Sequence, residues 1–154
     1  MKALQALTDL FKAHITDSAK FDAWAEDGAL FSAPSFQTTG FELEYTAIIF
    51  LQNVKVKPEV LMMHLVNWLN KHDPERQEKG LAQPTFATEI LDNRRCDIKI
   101  KIDLQETYEL EEDANGNWKQ DGIRYSSRSQ FETTVDIDDL DTLEYVGGHE
   151  DDLP

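Results

Sequence analysis

The sequence has little of what several classes of protein require. A single cysteine in 154 residues excludes an intrachain disulfide framework and suits a reducing cytoplasm. No apolar run approaches the roughly 20 residues that a membrane-spanning helix needs, so we expect no membrane insertion. A chain of this length can bury one hydrophobic core without disulfides or metals, and we therefore expect one folded domain.

Basic residues are also scarce. The chain has 15 Lys and Arg against 30 Asp and Glu, which gives a formal net charge of -15. Proteins that bind nucleic-acid phosphates or anionic membranes need a basic surface, so the charge argues against both. Nine acidic residues and no basic ones lie within 132–154. We therefore predict a single domain over 1–130, followed by an acidic, mobile tail over 131–154.

Motifs for catalysis and metal binding are missing. No GxSxG, Walker or GxGxxG pattern occurs. The stretch DANGN, 113–117, begins like a calcium loop, but Trp118 and Arg124 stand where that loop needs Gly and Glu, so we predict a tight turn. His64 and His72 lie eight apart without an HExxH motif or a cysteine partner. We expect no enzyme activity, no cofactor and no metal.

Hydrophobic spacing predicts the secondary structure. Apolar residues three and four apart predict helices over 3–15 and 19–26, and a third from Pro58 to Asp73. Alternation of apolar and polar residues predicts strands over 41–52, 85–91, 96–110 and 118–125. The turn-rich segment 29–40 is interpreted as a loop or short edge strand. The predicted fold class is α+β, with helices packed on a small mixed or antiparallel sheet.

The strand that begins at residue 96 has one apolar and one charged face. Its apolar positions, which include the lone thiol as a small buried hydrophobe, are Cys96, Ile98, Ile100, Ile102 and Leu104. Glu106 then follows on the apolar side. Either a bulge turns Glu106 to solvent, or it marks the edge where the strand meets another chain. A catalytic carboxyl is a third interpretation, but no partner residue is visible for it.

Two pairs of charged residues lie on strand faces. Glu42 and Glu44 repel each other on one strand, which fits either a solvated face or a surface that meets Lys or Arg of a partner. Lys99 and Lys101 have the opposite sign. If the strands are neighbours, the pairs could form ion pairs across the sheet; if not, identical subunits could bring them together. These four residues and Glu106 are our interface candidates.

Six segments together resemble the phage tail completion protein R family of contractile-tailed phages. They are ALTDLF, DGAL, FELEYTAIIF, VNWLNKHDPE, FATEILDN and CDIKIKIDLQETYEL. The order of these segments, rather than any single motif, carries the resemblance. It covers roughly 1–110 and is firmest over 41–110, whereas residues 111–154 have no counterpart.

The resemblance implies a structural role. Such a protein is expected to cap the head-proximal end of the tail, to stop tube or sheath growth and to help join the tail to the head. It implies a sheet flanked by helices and a homo-oligomeric ring, such as a hexamer. The implied partners are tail tube or sheath proteins and head-neck proteins. The implied location is the virion tail, and the host cytoplasm during assembly.

Two other classes of function remain as alternatives. The first is an acidic protein that mimics DNA and blocks a nucleic-acid-binding partner, which the net charge supports. A mimic should spread carboxylates over a folded face, however, whereas nine of thirty lie in the predicted tail. The second is a small hydrolase, which requires a deep pocket with a perturbed carboxyl near Glu106.

Overall fold

A computed structural model describes residues 1–15, 20–32, 39–131 and 143–146. Within them are two helices and six strands. In chain order these are α1 (Lys2–Ala13), β1 (Lys20–Ser32), β2 (Gly40–Val54), α2 (Pro58–His72), β3 (Thr85–Ile90), β4 (Cys96–Glu112), β5 (Trp118–Gln120) and β6 (Ile123–Ser129). Most of the tail predicted over 131–154 lies outside the described residues.

The strands form one antiparallel sheet built around β4. Along the main path the order is β1-β2-β4-β6-β5, and β3 also pairs with β4. β2 follows one edge of β4, whereas β3 and β6 share its other edge, at residues 96–101 and 108–112 respectively. The hairpin predicted between β3 and β4 is therefore confirmed.

The predicted α+β class is wrong, because the fold is mostly β, with two helices on a curled antiparallel sheet. The error arose at the helix predicted over 19–26, which is strand β1. Phe21 and Trp24 have the three-residue spacing of a helix, but they lie opposite Leu51 and Ile48 on β2 and point to different faces. Pairing with β2 satisfies the backbone hydrogen-bonding groups of this segment. A short isolated helix would be only marginally stable.

The other two helices are confirmed, and both pack on the inner face of the sheet. Helix α2 begins at Pro58, where a missing N–H costs nothing, and ends before Asp73. The core lies between these helices and the inner faces of β2 and β4. Its fully buried members include Leu7, Phe11, Ala47, Ile49, Leu51, Leu61, Ile98, Ile100, Ile102 and Leu104.

The turn predicted at 113–117 is confirmed, but the strand after it is interrupted. The Gly116 N–H donates to the Asp113 carbonyl at 2.9 Å, and a Cβ at Gly116 would lie 2.2 Å from the Tyr125 carbonyl oxygen. Asp121 and Gly122 then adopt positive φ values of 52° and 81°. This second turn divides the strand predicted over 118–125 into β5 and β6, and β6 pairs with the end of β4.

Between β3 and β6, a side chain and a loop backbone group supply the hydrogen bonds along the edge of β4. Arg76 donates to the Asp103 carbonyl at 3.1 Å, and the Gln130 N–H donates to the Thr107 carbonyl at 3.1 Å. Arg76 is itself buried and paired with Asp73 at 2.7 Å. The middle of the longest strand is therefore completed by side chains and loop backbone rather than by another strand.

Candidate interaction surface

The two faces of the sheet differ in what covers them. Both described helices pack on the inner face. The outer face carries an apolar centre made by Trp24, Ile48 and Phe50, which occupy adjacent positions on β1 and β2. Glu42 and Glu44 of β2 lie beyond one end of this centre, and Lys99 and Lys101 lie beside it on β4. Ile48 is fully buried, whereas Trp24 and Phe50 are half-buried, so the accessible part of this face consists of the two aromatic rings and the charged side chains. Such a mixed surface is suited to contact with another protein.

The acidic end contains Glu42 and Glu44. The Gln105 side-chain amide donates to both carboxylates, at 2.6 Å and 3.3 Å. Gln105 lies opposite Glu44 in the register of β2 and β4. The amide therefore relieves part of the repulsion, for which the sequence alone suggested solvent or Lys or Arg of a partner. The carboxylates keep further acceptor capacity for a donor from outside the subunit.

The basic end contains Lys99 and Lys101, and it does not meet the acidic end. Although β2 and β4 are neighbours, their register places Lys99 and Lys101 opposite Phe50 and Ile48. Lys101 is four residues from Gln105 along β4, about 13 Å at the rise of a strand. The predicted ion pairs across the sheet are therefore wrong: the two charged pairs occupy separate parts of the outer face, and the lysines alternate there with Asp97 and Asp103.

Lys99 contributes more than charge to this face. Its ammonium lies 5.7 Å from the centroid of the Trp24 ring. A cation over an aromatic face is attracted to it, and the lysine stem covers apolar surface at the same time. This contact holds the basic end beside the apolar centre of the outer face.

Glu106 lies on the inner face and is 0% exposed. The β2–β4 register passes through the pair Leu43 and Glu106 without a shift, so the hypothesis that a bulge turns Glu106 to solvent is wrong. Its carboxylate accepts hydrogen bonds from several groups around it. The donors are the Lys2 N–H at 2.9 Å, the Ala3 N–H at 3.1 Å, the Tyr108 hydroxyl at 3.0 Å, the Ser129 hydroxyl at 3.5 Å and the Tyr45 hydroxyl.

This arrangement makes Glu106 the N-terminal cap of helix α1. The helix has no capping hydrogen bond from its own N-cap residue, Met1. The first N–H groups of a helix need acceptors, and a carboxylate there also interacts favourably with the helix dipole. Because Glu106 is fully buried, it presents no atom to a partner in this structure. A helix start without a capping side chain, together with one acid on an apolar strand face, was the signal in the sequence.

Burial shifts the pKa of groups around this cluster. Burial, followed by the hydrogen bond to Glu106, raises the pKa of Tyr45 well above its usual value. Burial also raises the pKa of Tyr108, and Glu106 adds to the shift. Both hydroxyls therefore keep their protons and donate hydrogen bonds to Glu106. Burial likewise raises the pKa of Cys96, which fits the predicted small buried hydrophobe rather than a reactive thiolate.

Side chains that can bind metal ions are scattered over the described residues. Among them, no group of three or more His, Cys, Asp or Glu side chains could hold a metal ion. A cavity of about 360 Å³ lies on the β5–β6 hairpin, lined by Asn117, Trp118, Ser126, Ser127 and Arg128. None of these residues is a partner of Glu106, near which a hydrolase would need its pocket. Neither described helix has the length and apolar content to cross a bilayer.

Comparison with known proteins identifies relatives in phages. The family model described as P2 phage tail completion protein R (GpR) matches residues 1–129, farther than the segments quoted above. A curated relative is 30% identical over 112 residues, which cover 68% of this chain and 68% of the relative. It is described as an uncharacterized 19.2 kDa protein in the rep-hol intergenic region of Haemophilus phage HP1 (strain HP1c1). No solved structure matches this chain.

Proposed function

This chain belongs to the P2 phage tail completion protein R family, and we propose that it completes the tail by capping its head-proximal end. In this role it stops the growth of the tube or sheath and provides a surface for joining the tail to the head. The role is structural rather than enzymatic. The single observation that carries the proposal is the family match, which spans residues 1–129.

The outer face of the sheet supports a role in protein contacts. Its acidic end, Glu42 and Glu44, and its basic end, Lys99 and Lys101, are separated by the register of β2 and β4. Separate patches of opposite sign can orient a protein partner and exclude wrong ones. A face with both signs fits a protein partner better than it fits mimicry of uniformly negative DNA.

We propose a ring of identical subunits, such as a hexamer, as the assembled form. A ring matches the rotational symmetry of a tube and presents one surface to the tail tube or sheath and another to head-neck proteins. The protein would then reside in the virion tail, after assembly in the host cytoplasm. Mass spectrometry of purified tails tests this location, and absence of the chain from complete tails would contradict it.

Electron microscopy of phage made with and without this protein tests the capping role. Without the chain, we expect overlong or headless tails, and supplying the chain from a plasmid should restore joined particles. Uniform, head-joined tails in its absence would overturn the proposal.

A charge variant tests whether the outer face of the sheet makes the contact that joins tail and head. Glu42→Gln/Glu44→Gln removes the acidic end but keeps shape and hydrogen bonding, so we expect folded protein that restores joining poorly. Glu75→Gln/Glu78→Gln, which removes two exposed acids in the connection between α2 and β3, is the matched control and should restore it fully. Equal rescue by both variants would exclude the acidic end from the contact.

A further inference from the structure

Three strands have a single strand partner among the described residues: β1 pairs with β2 alone, β3 with β4 alone, and the three-residue β5 with β6 alone. The two longer strands, β1 and β3, form the two main edges of the sheet. Residues 25–32 of β1 and all six residues of β3 are exposed. The outer side of each strand therefore presents N–H and C=O groups that are available to another strand.

Both edges carry large apolar side chains in solvent. Leu30 is 69% exposed, Phe86 58% and Ile90 68%. They lie opposite Leu43, Ile100 and Cys96, respectively, and so share the inner face. Proteins usually protect exposed edges with lysine, proline or a bulge. Residues 25–32 and 85–90 contain no lysine or proline.

One protective feature does occur, and it limits where pairing can take place. A bulge interrupts β1 between Glu26 and Ala29, with Asp27 at a φ of 54°. A bulge bends its strand and breaks the ladder. The exposed Leu30 lies beyond it, so the part of β1 best placed for regular pairing with an outside strand is residues 29–32.

The charges near the two edges are opposite. The β1 side carries Asp22, Glu26 and Asp27. On the other side, Arg94 and Arg95 in the connection between β3 and β4, together with Lys101 opposite Thr85, outnumber the acids Glu89 and Asp92. The excess charge is therefore negative beside β1 and positive beside β3, which favours contact between unlike edges over contact between like ones.

We propose that residues 29–32 of β1 in one copy pair with β3 of the next copy, so that the sheet continues from subunit to subunit. This inference rests on the proposed ring and identifies the contact between its neighbouring subunits. Within a subunit each strand is antiparallel to its neighbour, so β1 and β3 run in opposite directions. A rotation that preserves strand direction therefore brings them together as an antiparallel pair. Such a head-to-tail contact uses two different surfaces and closes into a ring.

Two variants, each with one blocked edge, test this contact. Leu30→Lys blocks β1 and leaves β3 intact, whereas Phe86→Lys/Ile90→Lys blocks β3 and leaves β1 intact. In sedimentation velocity we expect wild-type protein to assemble and each variant alone to be monomeric. Mixed one to one, the variants should form heterodimers and nothing larger, because only one pair of intact edges remains.

Met63→Lys is the matched control, because Met63 is 61% exposed but lies on α2. It should assemble like wild type. The proposal is overturned if wild-type protein stays monomeric at every concentration, if either variant alone assembles, or if the mixture stays monomeric. Homodimers of one variant would instead indicate pairing between like edges.

Hydrogen exchange on wild-type protein provides a test that does not depend on how the variants fold. On assembly, amide protection should rise in 29–32 and in 85–90 together, since both strands gain partners. A gain in only one segment, or in neither, contradicts the contact. These measurements need no phage, so they can fail while electron microscopy supports tail capping, and the reverse outcome is equally distinguishable.

Discussion

The two faces of strand β4 show how one sequence serves folding and contact at once. On the inner face, Ile98, Ile100 and Ile102 are fully buried, and the buried acid Glu106 finds its donors within the subunit. On the outer face, Lys99 and Lys101 alternate with them and lie at a distance from the carboxylates of β2. The inner face of β4 is thus complete within one copy, whereas its outer face and the edges of the sheet have capacity left for partners.

Adjacent substitutions in β4 should separate the faces most strongly. Ile100→Ala should lower the free energy of unfolding by about 4 kcal/mol, since it leaves a cavity in the core. Lys101→Thr should change it by less than about 0.5 kcal/mol, because the residue is exposed and threonine suits a strand. Urea denaturation measures both. Equal losses would mean that the outer face also stabilises the subunit.

Replacing the cap of helix α1 should have the next largest effect. Glu106→Ala should cost about 3 kcal/mol, because the N–H groups of Lys2 and Ala3 and two tyrosine hydroxyls lose their acceptor. Glu106→Gln keeps one acceptor oxygen and should cost about 1 kcal/mol. Glu109→Ala, in the same strand but exposed, should cost less than about 0.5 kcal/mol. A similar cost at 106 and 109 would contradict the capping role.

The buried tyrosines should make the inner face sensitive to alkali. Folding raises the pKa of Tyr45 and Tyr108, so their stabilising contribution is complete below the usual tyrosine value of about 10. As pH rises above that value, the unfolded chain loses protons that the native state retains. The free energy of unfolding should then fall by about 1 to 2 kcal/mol per pH unit.

Urea denaturation between about pH 9 and 11 measures this loss, and Tyr45→Phe should make the pH dependence shallower. Lysines also titrate in this range, and the variant isolates the tyrosine contribution. The same slope in wild type and variant would show that Tyr45 is not the group responsible.

Added salt should have the smallest effect, and it acts on contact between copies rather than on the core. Each copy carries a formal charge of -15, so copies repel at low salt. Raising the ionic strength from about 0.01 M to 0.15 M shortens the Debye length from about 30 Å to 8 Å. We expect self-association to tighten about threefold on the screening of this repulsion. Light scattering measures it, and steady weakening with salt would contradict the hypothesis.

The sequence predicted a helix or strand best where its hydrophobic pattern agreed with the residues that begin or end it. α2 has proline at its first position and Asp73 at its end, and β4 alternates over ten residues before Glu106. Segment 20–26 was different, since Phe21 and Trp24 match a helix while the alternation of Phe21, Ala23 and Ala25 matches a strand. Both periods fit a short segment, so pairing with β2 decided between them.

The site was predicted less completely than the elements, for the same physical reason. Residue types and spacing identified Glu42, Glu44, Lys99, Lys101 and Glu106 as unusual, but register decides which side chains meet. The register of β2 against β4 places the two charged pairs apart, and this register is invisible in either strand alone.

The sequence by itself determined which residues of β4 enter the core, where α1 and α2 lie, and that the chain carries a formal net charge of -15. These properties depend on composition and on local periodicity, which neighbouring residues fix. Only the tertiary structure decided that Glu106 caps a helix more than a hundred residues away, and that β1 and β3 are left at opposite edges of the sheet. Those outcomes depend on which distant strands pair, and the free energy of that choice is shared across the whole sheet rather than held in any one segment.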